Sequence, residues 1–359
     1  MSLTFHPLRV AAVESLTPDA VRIVLEVPPE LAEEYRYAAG QHVTIRLTVE
    51  DEQGQPRELR RSYSLCAPPS EHAPRELRIA VKRSVPGGFG DYAVSKLAAG
   101  DRLETLTPTG RFHAYPEAGT HHVAIVAGSG ITPVYAILAD RLERDPASRV
   151  SIVFGNRTTS DVMFLEDLAD LKDRYGARLN LLHVLSREER GIPLLSGRID
   201  VERLPRLLEA IDAVPDDAYY LCGPTEMVES AREGLAGLGA SRVRFELFES
   251  GPRRAPAAAE TAGAEVPAAA LTVTLGGRTS VCELSPQDGS LLDAVLRSRP
   301  DAPYSCTAGA CGTCRARVLS GGVQMARDYA LEESEKQAGF VLTCQSLPTT
   351  AKVELDFDA

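Results

Sequence analysis

The sequence predicts a multidomain protein with an antiparallel β-barrel, a doubly wound α/β domain and a small third domain. Three observations support this fold class. Up to about residue 115, short apolar runs are separated by Gly, Pro and charged residues, which is typical of antiparallel strands. From His121 onward, continuous apolar strands alternate with amphipathic helices, which favours a parallel sheet. An Ala- and Pro-rich stretch at 251–270 then precedes a separate hairpin pattern.

The length of 359 residues also argues for more than one domain, because single domains usually contain roughly 100–200 residues. We therefore predict domains at 1–115, 116–250 and 271–359, with a linker at 251–270.

Composition excludes several classes of protein. Hydrophobic residues make up 44% of the chain and charged residues 25%, as in soluble globular proteins. The net charge of -11 opposes nonspecific attraction to nucleic acid or to an anionic membrane, so neither is an expected partner. The first ten residues lack the charged and apolar blocks of a signal peptide, and no apolar run is long enough to span a membrane. We expect a cytoplasmic protein.

The predicted elements follow in order. In the barrel we expect strands at 21–27, 42–49, 59–66 and 77–82. In the α/β domain the strands VAIVAG, SIVFG, LNLLHVLS and YYLCG alternate with helices, which we expect from about Pro133, over 165–175 and up to about 238. After the linker, LTVTLGGRTSVCEL predicts a hairpin and 291–297 a short helix.

Four of the seven cysteines form a pattern. Cys306, Cys311 and Cys314 have the spacing C-x4-C-x2-C, and Cys344 follows at a distance. This is the plant-type pattern for a [2Fe-2S] cluster held by four thiolates, and small residues between the cysteines let the backbone wrap closely around an inorganic core. Four cysteines also satisfy structural zinc, but zinc sites usually show two knuckles, and Cys344 has no nearby partner. The iron–sulfur cluster is the favoured interpretation, while Cys282 is expected to be a buried strand residue.

The segment 271–359 resembles plant-type ferredoxins, which implies a β-grasp fold for the third domain. In the first domain, R-S-Y-S at 61–64 offers a guanidinium for phosphate, a flat ring and hydroxyls, although an ordinary exposed strand would have the same composition. V-K-R at 81–83, followed by P-G-G-F-G at 86–90, adds a glycine turn that leads into a helix, which suits a pyrophosphate.

Together these motifs resemble the ferredoxin-NADP reductase family and imply that the barrel binds FAD rather than FMN. Many members of that family have serine at the position of Gly90. The resemblance assigns cofactor contacts to Arg61, Ser62, Tyr63, Ser64, Val81, Lys82, Gly87, Gly88, Phe89 and Gly90.

The α/β domain carries two further motifs. G-S-G-I-T-P at 128–133 follows an apolar strand and opens a helix that Thr132 can cap, but the third glycine of the dinucleotide fingerprint is absent. C-G-P at 222–224 ends another strand. Both resemble the nucleotide half of the same family. The resemblance implies that Gly128, Gly130, Gly223 and Pro224 bind the nucleotide. It also implies catalytic positions for Thr132, for Cys222 beside the nicotinamide, and for Glu246 in an E-x-F motif. For Cys222, inert packing at a strand end is the alternative.

The choice of nucleotide depends on Ser186 and Arg187, which follow the strand LNLLHVLS where the adenosine ribose lies in this family. A cation and a hydroxyl suit a 2′-phosphate, whereas NAD sites more often place an acidic residue there. We therefore expect NADPH rather than NADH, although S-R-E-E-R could also be an ordinary solvated loop.

The module order resembles the reductase components of bacterial multicomponent oxygenases, particularly those of phenylacetyl-CoA epoxidases. It implies electron flow from NADPH to FAD, then to [2Fe-2S], and then to a di-iron oxygenase component. A hydride carries two electrons and the cluster accepts one, so a flavin converts between them. Relatives with this order serve other hydroxylases, desaturases or hybrid-cluster proteins. A redox-sensing or interaction protein without turnover is the alternative from another class.

Overall fold

A computed structural model describes residues 4–50, 56–83, 88–248, 269–285 and 287–359. Residues 5–248 form one compact unit, and the described residues from 269 onward belong to a second. Of the predicted linker only Ala269 and Ala270 are described, and both lie in a strand; the predicted domain boundaries stay predictions. No helix within the described ranges is both long enough and apolar enough to cross a membrane.

The first part of the larger unit is an antiparallel barrel, as predicted. Its six strands have the order β4-β3-β6-β1-β2-β5, and a bridge between Leu65 and Ile79 joins the two ends of the sheet. Inward-facing aliphatic residues of these strands form its core. The elements are β1 (Phe5–Thr17), β2 (Ala20–Glu26), β3 (His42–Glu50), β4 (Pro56–Ser64), β5 (Glu76–Lys82), α1 (Phe89–Ser95) and β6 (Arg102–Leu106).

The second part of this unit is a parallel five-stranded sheet with the order β11-β10-β7-β8-β9. The strand order reverses between β7 and β10, which makes a crevice at the carboxyl ends of these two strands. The elements are β7 (His121–Ala127), α2 (Ile131–Arg144), β8 (Arg149–Asn156), α3 (Leu165–Tyr175), β9 (Leu179–Leu185), α4 (Leu204–Glu209), β10 (Ala218–Gly223), α5 (Thr225–Gly237) and β11 (Val243–Leu247).

The second unit is a mixed sheet with the order β13-β12-β18-β14-β16, against which a helix packs. This is the expected β-grasp arrangement. Gly276 and Gly277 have φ angles of +60° and +68° and make the tight turn of the predicted hairpin, where residues with side chains are rare. The elements are β12 (Ala269–Leu275), β13 (Arg278–Leu284), α6 (Leu291–Ser298), β14 (Arg315–Ser320), β15 (Val323–Met325), α7 (Glu333–Gln337), β16 (Phe340–Leu342), β17 (Ser346–Pro348) and β18 (Lys352–Asp356).

His122 lies near the start of β7 and is fully buried. Its Nδ1 is 3.0 Å from the Tyr220 hydroxyl, and burial lowers the pKa of the imidazole to about 4. The folded state therefore binds fewer protons than the unfolded state at mildly acidic pH, so protonation favours unfolding. The free energy of unfolding should fall as pH drops below about 6.5, and this loss should be complete below about pH 4.

This pH dependence is testable with His122→Asn. The wild type should lose about 2 kcal/mol more than the variant between pH 7 and pH 5, as measured by urea unfolding of the full chain. Equal losses in the two proteins would show that His122 does not carry the effect.

Candidate functional site

The two predicted nucleotide motifs meet at the crevice of the parallel sheet. Cys222 lies in register between Val126 of β7 and Glu246 of β11. A Cβ atom on Gly130 would lie only 2.2 Å from the Cys222 carbonyl oxygen, so the turn after β7 touches the end of β10 at a point where no side chain fits. The structure therefore brings 128–133 and 222–224 together.

The other predicted glycines of the crevice have different surroundings. Gly128 has a φ of +54° and no atom within 4 Å of a Cβ position, which leaves open space beside the turn. Gly223 has a φ of +152°, and Pro224 directly precedes α5. These positions suit close approach of a ligand to the backbone.

The position of Thr132 in the helix differs from the predicted capping position. It does not cap the helix, because a 3-10 turn at Gly128–Gly130 runs directly into α2, which begins at Ile131 with Gly130 as its N-cap. Thr132 is therefore the second residue of the helix, and its hydroxyl donates to the Ser129 carbonyl at 3.0 Å.

Glu246 joins the barrel to the crevice. The Ser64 hydroxyl donates to Glu246 Oε2 at 3.5 Å, so the predicted flavin motif and the predicted nicotinamide residue are neighbours. His42 Nδ1 is 4.0 Å from Glu246 Oε1. Three side chains from β3, β4 and β11 thus meet beside Cys222.

His42 belongs to none of the motifs that predict the site. It is the first residue of β3 and pairs with Ser64 in the register of β3 and β4. Knowledge of that register would have identified His42, since opposite residues in antiparallel strands share a face.

The Cys222 side chain is fully buried. Burial, and then the negative charge of Glu246, raise the pKa of its thiol well above the usual value. Cys222 is therefore a neutral thiol rather than a nucleophilic thiolate at neutral pH. Its small, uncharged side chain borders the crevice.

The R-S-Y-S motif lies at the end of β4. The ring of Tyr63 packs against Phe89 with a centroid distance of 5.3 Å, and burial raises the pKa of its phenol. The hydroxyl of Ser62 is 3.2 Å from that of Thr44, and the exposed Arg61 donates to the Arg60 carbonyl at 2.8 Å. An aromatic face, hydroxyls and an exposed guanidinium in one strand fit a flavin and its phosphates.

The predicted phosphate loop is described in part. Gly87 lies outside the described residues, and Gly88 is the N-cap of α1. Val81 is fully buried in the barrel core, so only its main chain is available to a cofactor. Lys82 Nζ is 3.6 Å from Asp19.

Steric crowding explains why this chain has glycine at position 90, where many family members have serine. A Cβ at this position would lie 2.5 Å from the Lys82 carbonyl oxygen. Because α1 approaches the end of β5 this closely, any side chain at position 90 would displace the backbone.

Ser186 and Arg187 lie next to each other in the loop after β9. Their amides donate to the carbonyls of Asn156 and Arg157, at 2.9 and 2.8 Å, which joins this loop to the end of β8. The adjacent Glu188 accepts from the Thr159 amide at 2.7 Å and its hydroxyl at 2.8 Å, and these bonds lower its pKa. One of the two acidic residues of this loop, Glu188, is thus already engaged, whereas Arg187 is exposed.

The four predicted cluster cysteines lie together as two pairs. Cys306 pairs with Cys311, and Cys314 pairs with Cys344. The hydrogen bond within each pair, and then burial, raise the pKa values of the Cys306 and Cys344 thiols well above the usual value. Among the described residues no three His, Cys, Asp or Glu side chains are arranged around a single metal ion. Four thiols with this spacing fit a two-iron cluster held by four cysteines.

Backbone donors in the loop point at these sulfurs. The amides of Ala308 and Cys311 donate to Cys306 Sγ at 3.4 Å, and the Thr313 amide donates to Cys311 Sγ at 3.5 Å. Such bonds stabilise charge on the sulfur atoms of a bound cluster.

Both neighbours of Cys344 hold the loop in place. The Thr343 hydroxyl donates to the Cys314 carbonyl at 2.9 Å, and the side-chain Nε2 of Gln345 donates to the Thr307 carbonyl at 2.8 Å. Thr307 has a φ of +53°, which is unfavourable for a β-branched residue and requires such support.

The unit also contains a Ser-His-Asp arrangement that the sequence did not reveal. His121 Nδ1 is 2.9 Å from Asp217 Oδ2, and its Nε2 is 2.8 Å from the Ser151 hydroxyl. All three residues are buried and lie at the amino ends of the parallel strands, opposite the crevice. The arrangement links strands and has no access for a substrate.

Comparison with protein families matches three models to this chain. An oxidoreductase FAD-binding domain covers residues 7–114, an oxidoreductase NAD-binding domain covers 124–233, and a 2Fe-2S iron-sulfur cluster binding domain covers 273–349.

Similar proteins extend over nearly the whole chain. A component of the 1,2-phenylacetyl-CoA epoxidase of Escherichia coli (strain K12) is 41% identical over 99% of this chain and 98% of its own length. The ferredoxin reductase component of 3-ketosteroid-9-alpha-monooxygenase from Rhodococcus rhodochrous is 34% identical over 98% and 96%. The solved structure of a phthalate dioxygenase reductase shares the fold, with a TM-score of 0.58, 23% identity and 98% coverage of both chains. The chain therefore belongs to the family of oxygenase reductase components, oxidoreductases that transfer electrons and combine an FAD-binding, a NAD-binding and a 2Fe-2S domain.

Proposed function

We propose that this protein oxidises NADPH and delivers the electrons, through FAD and the [2Fe-2S] cluster, to a di-iron oxygenase that epoxidises phenylacetyl-CoA. The observation that carries the electron path is the meeting of Ser64, Glu246 and Cys222, which joins the flavin motif to the nucleotide crevice. The proposal of this acceptor is based on the 41% identity with the component of the phenylacetyl-CoA epoxidase.

Each residue at this meeting point has a distinct task. The residues of the barrel would hold FAD, which when bound would supply the conversion of a two-electron hydride into single electrons for the cluster. The Glu246 carboxylate and the Ser64 hydroxyl orient the reacting rings by hydrogen bonding. The neutral Cys222 thiol borders the nicotinamide without adding charge, and Gly130 lets the start of α2 come close to the strand ends. Thr132 lines the same turn.

The remaining predicted residues bind the cofactors. Arg61 holds phosphate, Ser62 and Tyr63 contact the flavin, and the backbone around Lys82 and Gly88 carries the pyrophosphate. The paired thiols of Cys306, Cys311, Cys314 and Cys344 hold the cluster.

The preference for NADPH rests on Arg187. Its guanidinium is exposed beside Ser186, and Glu188, whose charge would repel a 2′-phosphate, is held by Thr159. Replacing Arg187 with alanine should lower kcat/KM for NADPH by roughly 10- to 100-fold, because a hydrogen bond to a charged group is lost. The value for NADH should stay within about twofold, since NADH lacks the phosphate.

The control for this prediction is Arg190→Ala, which removes another exposed arginine from the same loop. Steady-state kinetics with both nucleotides would measure the effects. Equal losses for NADPH and NADH in the Arg187 variant would contradict recognition of the 2′-phosphate.

The proposed path is tested by anaerobic visible spectra, followed by reconstitution. Flavin and cluster absorbance that bleaches faster with NADPH than with NADH supports the path. Phenylacetyl-CoA consumption that requires both this protein and the oxygenase components of the epoxidase supports the acceptor. Bleaching without epoxidation would assign the reductase to another oxygenase, desaturase or hybrid-cluster protein. Bleaching without turnover of any acceptor would favour a redox sensor, and a colourless zinc protein would overturn the reductase assignment.

A further inference from the structure

Asn156 is the last residue of β8 and is 8% exposed. Neither its side-chain Oδ1 nor its Nδ2 has a hydrogen-bond partner among the residues that the structure describes. Its main-chain carbonyl, in contrast, accepts from the amide and the hydroxyl of Ser186, at 2.9 and 3.3 Å. The main-chain carbonyl of Asn156 therefore has hydrogen-bond partners, whereas its side-chain carboxamide has none among the described residues.

A buried carboxamide without partners is unfavourable, because its donor and acceptor have both lost water. Such groups are rare in folded proteins, and each one needs an explanation. A bound ligand that supplies the missing partners is one such explanation.

The position of Asn156 indicates which ligand this is. Side chains alternate along a strand, so Asn156 shares its face of the sheet with Ile152 and Phe154, which pack in one core with α2 residues. The start of that helix follows the turn at Gly128–Gly130, which β8 contacts. On its other side Asn156 adjoins the loop of Ser186 and Arg187. The carboxamide thus lies between the glycine turn and the predicted adenosine loop.

We propose that the Asn156 carboxamide binds the ribose–pyrophosphate part of the pyridine nucleotide directly. Its Nδ2 donates to a phosphate or ribose oxygen, and its Oδ1 accepts from a ribose hydroxyl. This inference rests on the proposed nucleotide oxidation. Because these groups occur in both NADPH and NADH, Asn156 contributes to affinity for both, unlike Arg187.

The test is Asn156→Leu in the full-length protein loaded with its cofactors. The dissociation constants of NADP+ and NAD+, measured by calorimetric titration, should both rise about tenfold, since hydrogen bonds to the ligand are lost. The unfolding temperature without nucleotide should stay the same or rise, because leucine removes a buried carboxamide that has no partner. Asn156→Asp should weaken both nucleotides further, since a carboxylate repels their phosphates.

The matched control is Asn180→Leu, in the partly exposed edge strand β9, which should leave both dissociation constants unchanged. Wild-type affinity in the Asn156→Leu protein would overturn the inference. A lower unfolding temperature of that variant without nucleotide would also overturn it, because Asn156 would then serve the fold. A wild-type protein that binds neither nucleotide would instead overturn the proposed function.

Discussion

Replacing Cys311 with serine is expected to abolish electron transfer from NADPH to cytochrome c, while reduction of ferricyanide, which the flavin can perform, continues. Cys311 forms one thiol pair with Cys306, and the Thr313 amide donates to its sulfur. A serine hydroxyl binds iron poorly because its proton is lost far less readily than that of a thiol. The variant should therefore lack the cluster or hold one that does not transfer electrons. Single electrons could then no longer leave the protein through it.

Three measurements check this prediction: the cytochrome c rate, the ferricyanide rate and the iron content of the purified variant. Cys282→Ser is the matched control, since Cys282 is a buried cysteine of the same unit that lies in strand β13, away from the paired thiols. It should keep its iron and both rates. If the Cys311→Ser protein reduces cytochrome c as fast as wild type, the cluster is not the exit for electrons.

The second large effect is expected from Gly130→Ala. The added methyl group would lie 2.2 Å from the Cys222 carbonyl oxygen and 2.8 Å from the Gly223 amide nitrogen, so the start of α2 and the end of β10 must separate. A shift of about 1 Å at reacting groups costs on the order of 100-fold in rate. NADPH oxidation should fall by about that factor, whereas FAD content should not change because the barrel is untouched.

Gly176→Ala provides the control for this substitution, because Gly176 follows α3, also has a positive φ and is not among the predicted nucleotide-binding residues. Its Cβ would meet no atom within 4 Å, so the expected cost is only the strain of a positive φ, roughly 1–2 kcal/mol. Stopped-flow reduction of the flavin by NADPH measures both variants. Similar rates for the two proteins would show that the contact between Gly130 and Cys222 does not control hydride transfer.

Much of the fold could be predicted because its signals are local. The predicted helix 165–175 matches α3, and the glycine pair at 276–277 forms the expected turn. The cysteine spacing was equally informative, since small residues and four thiols in that pattern serve few purposes. The start of α2 was predicted too late, because a 3-10 turn that continues into a helix leaves no distinct capping residue.

The meeting of side chains at the site could not be predicted in the same way. Ser64 and Glu246 are 182 residues apart, and no spacing rule connects a barrel strand with the last strand of another domain. His42 and Asn156 were missed for a related reason. His42 is identified by the register of two strands, and Asn156 by a buried side chain that lacks hydrogen-bond partners among the described residues. Both features exist only once the strands have paired.

The buried Ser151–His121–Asp217 chain has a mechanical consequence for the sheet. It ties together β7, β8 and the start of β10 at their amino ends, whereas the glycine turns lie at the opposite ends. The three strands are therefore cross-linked by side chains at the end of the sheet opposite the crevice. These bonds hold the three strands together without occupying the crevice in which the glycine turns lie. The polar cross-link that supports the sheet and the crevice proposed for the nucleotide are thus kept at opposite ends of the same strands.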